Sequence, residues 1–209
     1  MLIAKQKYSS RADSHQSERG TTIIEVMVTI VILTIGLLGL AGLQGQMLFA
    51  ELESYQRAQA VLLMNDMADR ITSNRAAAAT YITTTPLGTP YPTPSAASPP
   101  QPATCPATAG VAKDNCEWSN ALLGASERKG TASVGAMVDA RGCVQLVAAE
   151  NTAAGVCTPG VYLVTVVWQG SNLTTAPNAS VTCGKDYYGD DRYRRAITTR
   201  VSVGLPTCQ

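Results

Sequence analysis

Proline, charge and histidine are each missing from a long stretch of this 209-residue chain. No proline occurs between Thr21 and Thr85, so one uninterrupted helix is possible there. No charged residue occurs between Glu25 and Glu51, and an apolar run of that length predicts a membrane-spanning helix. A carboxylate such as Glu25 is costly at the start of such a helix, which makes it a candidate functional group.

Histidine occurs once, as His15 near the N-terminus. The rest of the chain contains no histidine, which excludes His-assisted nucleophiles, histidine general bases and histidine-containing zinc sites there. No paired-carboxylate motif stands out either. We expect no enzymatic activity, no cofactor and no metal site.

Six cysteines lie in the C-terminal two-thirds of the chain without any C-x-x-C pair. Their even number predicts a disulfide framework, with 15 possible connectivities for six cysteines. Metal ligation is the alternative, although the spacings match no zinc pattern. Pairing by order along the chain predicts Cys105–Cys116, Cys143–Cys157 and Cys183–Cys208.

A basic, polar leader, residues 1–20, precedes the apolar run and ends in Arg19-Gly20. No small-residue cleavage site closes the run, as it would in an ordinary secretory signal peptide. Cleavage after Gly20 would instead retain the whole apolar segment behind a new N-terminal Thr21. The basic leader favours the cytoplasmic side of a membrane, which places the C-terminal part outside the cytoplasm.

We predict that the helix runs from Thr21 to about Ala79 and that its second half is amphipathic. The apolar stripe expected to face a core is Leu52, Tyr55, Ala58 or Gln59, Leu62, Leu63, Met67 and Ile71. The charged residues expected largely on a solvated face are Asp66, Asp69, Arg70 and Arg75.

A loop and a short helix are predicted to follow. Eight of the eleven prolines lie in residues 86–106, which predicts a long loop. Asp114 is a candidate N-cap and Gly124 a candidate C-terminal stop for the helix. Trp118 and Leu122 are four residues apart and should face the core.

Alternation of apolar and polar residues predicts strands at 134–138, 143–148, 161–168 and 196–203, with a turn at 140–142. These would form a small antiparallel sheet, covered by the amphipathic half of the helix in an α+β fold. The basic run 192–195 follows Asp190 and Asp191, which nearly neutralise it. We interpret it as a solvated surface and predict no specific nucleic-acid contact.

The order Arg19, Gly20, Thr21 and Glu25 ahead of the apolar run resembles the type III signal of type IV pilins and pseudopilins. The resemblance implies that prepilin peptidase cuts between Gly20 and Thr21 and that Thr21 is N-methylated. Family members more often have Phe at this first position, so Thr21 is a departure. Glu25 would be the fifth mature residue and would pair with the N-terminal amine of a neighbouring subunit. A signal-anchor of a single-pass membrane protein is the alternative.

Further residues resemble the minor pilin PilV family, also called type IV pilus modification proteins. They are the segments 35–44, 55–60, 66–71, 74–75 and 164–168, together with Asp114, Trp118 and Leu122. The resemblance implies a disulfide-stapled type IV pilin fold. It also implies a subunit that helps to prime pilus assembly, first in the bacterial inner membrane with a periplasmic head and then at the pilus tip on the cell surface. The implied partners are other minor pilins, the major pilin and a large tip adhesin.

The expected organisation has five parts: a leader (1–20), a transmembrane and assembly half of the helix (21–50), an amphipathic half (51–82), a Pro-rich loop (83–110) and a disulfide-bonded sheet head (111–209). The resemblance also implies that the helix can unwind locally at Gly36–Gly45 in an assembled pilus, and the ordinary glycine enrichment of membrane helices is the alternative. Two other classes stay open. A minor pseudopilin of a type II secretion system shares the leader and the helix, whereas a single-pass periplasmic receptor or enzyme predicts no cleavage at Gly20.

Overall fold

A computed structural model of the chain describes residues 20–90, 101–125, 128–129, 132–133, 137–153 and 155–204. Its helices are α1 (Ile23–Ser73) and α2 (Val111–Leu122), with 3-10 helices at Arg75–Tyr81 and Asp191–Tyr193. Its strands are β1 (Leu87–Gly88), β2 (Arg128–Lys129), β3 (Ala132–Ser133), β4 (Arg141–Ala148), β5 (Gly160–Gln169) and β6 (Arg194–Val203). The predicted α+β fold, a long helix with a small antiparallel sheet, is confirmed.

The chain forms two compact units, Met1–Met47 and Leu48–Gln209, and α1 contributes to both. In the first unit, described from Gly20 onward, no residue is buried. The helix contains a stretch long and apolar enough to cross a membrane, and none of that stretch is buried inside the structure. These side chains therefore have no covering partner within the described chain.

The second unit contains a four-stranded antiparallel sheet in the order β1-β4-β5-β6, and β2 pairs with β3 separately. Strand β5 is central, and its Val164 lies opposite Val144 of β4 and Thr199 of β6. The apolar, β-branched composition of β5 explains this place, because both of its edges are paired and much of it is buried.

The start of β4 corrects the predicted turn at 140–142. Arg141 and Gly142 already belong to β4, where they pair with β1. The turn lies earlier, at Val138 and Asp139, and Asp139 adopts a positive φ of 55°. The predicted strand 134–138 falls partly on residues 134–136, outside the described residues, and residues 137 and 138 form no strand.

One face of the sheet packs against helices to form the main core. Its fully buried side chains include Ala60, Met67 and Ile71 of α1, Trp118 and Leu122 of α2, and Tyr162, Val164, Val166 and Trp168 of β5. The Trp118 ring lies so close to Gly142 that a Cβ there would be 2.2 Å from it. The predicted inward orientation of Trp118 and Leu122 is thus confirmed.

The buried stripe of α1 differs from the predicted one in its first half, whereas Met67 and Ile71 are buried as predicted. Leu52, Tyr55 and Leu62 were expected to face the core, yet they are 56%, 46% and 63% exposed. Ala60 is fully buried instead, in register with Met67 and Ile71. Small and polar residues approach the sheet near the start of this segment, so apolar character alone misplaces the stripe.

Candidate functional site

The bond between Gly20 and Thr21 lies just before the first helical turn. Both residues are exposed and non-helical, and α1 begins at Ile23. The Thr22 carbonyl accepts the first helical hydrogen bonds, from the backbone N–H of Glu25 (3.1 Å) and of Val26 (3.3 Å). The expected cleavage point is therefore in non-helical backbone directly ahead of the apolar helix.

Glu25 is exposed in the first turn of α1, where a negative charge complements the helix dipole. Its carboxylate has no hydrogen bond or ion pair among the described residues. Its helical neighbours Ile24 and Val26 are exposed apolar side chains. The described chain therefore places no cation beside this carboxylate.

Four glycines in the first unit lie at intervals of three residues, at positions 36, 39, 42 and 45, and the helix continues through all of them. No heavy atom outside the local helix backbone would lie within 4 Å of a Cβ at any of them. Small residues leave room for close approach of another membrane helix. Local unwinding of Gly36–Gly45 in an assembled fibre stays a prediction.

In the second unit, Arg70 joins α1 to α2. Its Nη1 lies 3.1 Å from Asp114 Oδ1 and 2.8 Å from Glu117 Oε2, and its Nε lies 3.1 Å from Asp66 Oδ2. The hydrogen bond from Arg70 holds the pKa of Glu117 below its usual range. The expectation of a solvated face is therefore wrong for Arg70, whose side chain is only 24% exposed.

Asp114 takes part in this junction and is not the predicted N-cap. Helix α2 begins three residues earlier, at Val111, and its N-cap is Gly110 at a φ of 139°. The Asp114 carboxylate instead accepts hydrogen bonds from Arg70 and from the Tyr81 hydroxyl. Burial, and then this hydrogen bond, raise the pKa of Tyr81.

Trp118 completes the contact between the two helices. Its indole N–H donates to the Leu63 carbonyl at 2.8 Å. Segment 66–71, Asp114 and Trp118, three features of the narrower resemblance, therefore meet in one packed junction. Sequence reasoning missed the role of Arg70, although its two acidic partners lie three residues apart on one face of α2.

The structure contains a disulfide between Cys105 and Cys116, as predicted, and one between Cys143 and Cys183. The pairings Cys143–Cys157 and Cys183–Cys208 are therefore wrong. Cys143 lies five residues before the end of β4, roughly 17 Å along the strand, and Cys157 lies in the loop beyond that end. Cys157 is disulfide-bonded, and Cys208 lies outside the described residues.

Arg194 holds residues 181–183 against the sheet, and this position brings Cys183 to Cys143. The Arg194 guanidinium is 1% exposed, lies 2.6 Å from Asp191 Oδ1, and donates to the carbonyls of Val181 (2.8 Å) and Cys183 (3.1 Å). The hydrogen bond from Arg194 also lowers the pKa of Asp191. A solvated surface was expected for the run 192–195, and this expectation is wrong for Arg194.

A second buried arginine, Arg141, anchors the same region. It is fully buried, lies 2.9 Å from the Asp139 carboxylate, and has the rings of Tyr187 and Tyr188 about 5 Å from its guanidinium carbon. The Tyr188 hydroxyl donates to the Asp139 carbonyl at 3.0 Å, and burial raises the pKa of Tyr188 to about 12. These contacts pack residues 181–193 over the second face of the sheet.

The arginines Arg70, Arg141 and Arg194 and their carboxylate partners thus serve packing. Among the described residues, no group of three or more His, Cys, Asp or Glu side chains is arranged to hold a metal ion. The carboxylates noted above are bound to arginines that join one element to another. These pairs link segments of the second unit, whereas the described apolar helix of the first unit is exposed and carries the single carboxylate Glu25.

Two protein-family models match the chain. Residues 15–41 match the prokaryotic N-terminal methylation motif, and residues 42–116 match the Tt1218-like family, described as type IV pilin Tt1218. No curated protein and no solved structure matches. The two matches are consecutive and end within α2, and they show a likeness to type IV pilins over residues 15–116. They do not reach the narrower PilV assignment.

Proposed function

We propose that this chain, whose fold and N-terminal motif are those of a type IV pilin, is a minor pilin of the PilV kind that helps to prime pilus assembly. The observation that carries the proposal is the N-terminal arrangement. A non-helical Gly20-Thr21 bond precedes an uncovered apolar helix with one carboxylate, and the methylation motif matches that same stretch.

Processing and anchoring come first in the proposed mechanism. Prepilin peptidase cleaves after Gly20 and methylates the new N-terminus at Thr21. The retained apolar helix anchors the subunit in the inner membrane with the head in the periplasm, as the basic leader favours. The head can then meet other subunits while the helix stays in lipid.

Glu25 supplies the register of assembly. A carboxylate in hydrocarbon is costly, and pairing with a cation offsets that cost. The N-terminal amine of a neighbouring subunit is a cation at a similar depth, since Thr21 lies only four residues before Glu25. Because α1 carries no other charge before Glu51, only this axial position satisfies the carboxylate.

The cross-links of the head support a role at the pilus tip. Arg70 joins α1 to Asp114 and Glu117 of α2, and two disulfides link further segments. In the proposed role, this head contacts other minor pilins, the major pilin and a large tip adhesin. A minor pseudopilin of a type II secretion system is the alternative, because it would share the same leader and helix.

Complementation of a deletion strain tests the proposal. Wild type and Glu51→Ala should restore piliation and co-purify with other minor pilins, whereas Glu25→Ala should do neither. Mass spectrometry should find a mature chain that starts at methylated Thr21. An uncleaved N-terminus, or normal piliation with Glu25→Ala, would contradict the mechanism. Restored protein secretion without an effect on pili would favour the pseudopilin.

A further inference from the structure

A groove of about 470 Å³ lies between α1 and the strands β5 and β6. Its walls include Ala50, Glu53 and Arg57 of α1 and Trp168, Arg195 and Ile197 of the sheet. Its volume is within the range of small-molecule sites. The lining combines charged groups with apolar side chains, so the groove suits a ligand with a charged part and an apolar part.

The charge of the groove favours an anion. Arg195 lies 2.6 Å from the Glu53 carboxylate through its Nε, and its other nitrogens donate to backbone carbonyls such as that of Asn172. This pair neutralises itself. Arg57 is exposed and has no hydrogen bond or ion pair among the described residues. One positive charge is therefore left for a ligand.

Trp168 forms part of the wall of the groove. It is only 2% exposed, and its indole N–H has no acceptor among the described residues. Its indole ring therefore contributes apolar surface to the lining of the groove.

The position of the groove along the chain indicates which kind of anion would be near it in a membrane. The uncharged run begins at Val26 and ends at Ala50, which lines the groove. As a helix this run measures roughly 38 Å, more than the ~30 Å of bilayer hydrocarbon. Arg57, about 10 Å further along the helix, therefore belongs at the depth of the lipid headgroups.

We propose that this groove binds the headgroup of an anionic phospholipid while the subunit is anchored in the membrane. The Arg57 guanidinium donates to the phosphate oxygens, an arrangement for which its planar donors are well suited. The apolar side chains, Ile197 among them, contact the glycerol backbone. The inference rests on the membrane-anchored stage of the proposed function, and it implies that the lipid is released when the subunit enters a pilus.

Binding of short-chain phosphatidylglycerol to the full processed chain in neutral detergent tests this inference, with tryptophan emission as the readout. Arg57→Gln should weaken binding about tenfold, the weight of one charge-assisted hydrogen bond. Arg75→Gln is the matched control, because it removes the same charge from an exposed arginine outside the groove. Wild type and this control should bind alike, and short-chain phosphatidylcholine should bind more weakly to both.

Three results would overturn the inference. They are unchanged affinity in Arg57→Gln, an equal loss in Arg75→Gln, and competition by inorganic phosphate as strong as by the lipid. The experiments distinguish a failure of this inference from a failure of the proposed function. Loss of lipid binding in Arg57→Gln would stand even if Glu25→Ala assembled pili normally, whereas indifference to Arg57 would leave the pilus phenotype of Glu25→Ala intact.

Discussion

Residues 20–47 and residues 48–204 both contain many apolar side chains, but they use them in opposite ways. In the first region the large apolar residues are 45% (Val26) to 82% (Ile23) exposed, whereas Val164 and Val166 in the second are fully buried. The difference is the presence of a covering partner within the chain. The first region can bury its surface only in lipid or against other subunits, and the second forms its own core.

Trp118→Ala should have the largest effect on stability, because it removes burial from the second region only. Removing a fully buried indole creates a cavity and leaves the Leu63 carbonyl without its donor, which should cost about 3–5 kcal/mol of unfolding free energy. Leu40→Ala is the control, because that side chain is 56% exposed and should leave the head unchanged. Calorimetry of the detergent-solubilised chain would measure both. Equal effects would mean that the two regions do not differ in burial.

Alkaline pH should destabilise the second region and leave the first, which contains no tyrosine, unaffected. Burial raises the pKa of Tyr188 from 10 to about 12, so the folded chain keeps this proton longer than the unfolded chain. The contribution of this tyrosine to stability should therefore be fully present below pH 10 and fall by about 2–3 kcal/mol between pH 10 and pH 12.

Tyr188→Phe should reduce this alkaline loss, and the pKa shifts of Tyr81 and Tyr162 in the same direction should keep part of it. Tyr55→Phe, on an exposed helix face, should retain the full loss. Denaturant unfolding curves at several pH values would measure the slope. An unchanged slope in Tyr188→Phe would show that its proton is not linked to folding.

Two glycine substitutions sharpen the comparison. Gly142→Ala places a Cβ 2.2 Å from the Trp118 ring, and the resulting overpacking should cost about 1–3 kcal/mol. Gly39→Ala meets no atom within 4 Å and should favour the helix by up to about 1 kcal/mol. Thermal unfolding of the purified variants would compare them. Destabilisation by Gly39→Ala in the isolated subunit would contradict the open surface at that glycine.

Arg70→Gln should have the smallest effect. It leaves Asp66, Asp114 and Glu117 without their shared cation, but these groups are 24–41% exposed, so solvent limits the cost to about 1 kcal/mol. Arg75→Gln removes the same charge from a residue without an ion pair among the described residues and should be neutral. Urea denaturation would resolve the difference, and equal midpoints would exclude a stabilising role for the junction.

Local patterns predicted much of this fold from sequence. The absence of proline predicted α1, which ends at Ser73 and passes after Asn74 into a 3-10 turn that includes Ala79. Alternation and β-branching predicted the three long strands, because both depend on residues close together in sequence. The inward orientation of Trp118 and Leu122 followed from helical spacing for the same reason.

The candidate assembly site was also accessible from sequence, since Gly20, Thr21 and Glu25 are adjacent and form a recognisable motif. The groove around Arg57 could not be predicted from sequence, because its walls come from positions more than 100 residues apart. The first half of the buried stripe of α1 was predicted wrongly for a related reason. Both stripes contain apolar residues, and only the location of the sheet decides which one is covered.

The sequence by itself determined the division of the chain into two parts. One is an apolar helical segment, residues 26–50, which carries no charge and directly follows Glu25, and the other is a cysteine-containing head. Charge, proline and cysteine content are properties of composition and short spacing, and no folding is needed to see them. Only the tertiary structure decided that Cys143 joins Cys183, that Arg194 is buried and that Asp114 binds Arg70. Each of these contacts depends on how segments that are far apart in sequence pack on the sheet. The order of residues along the chain does not specify that packing.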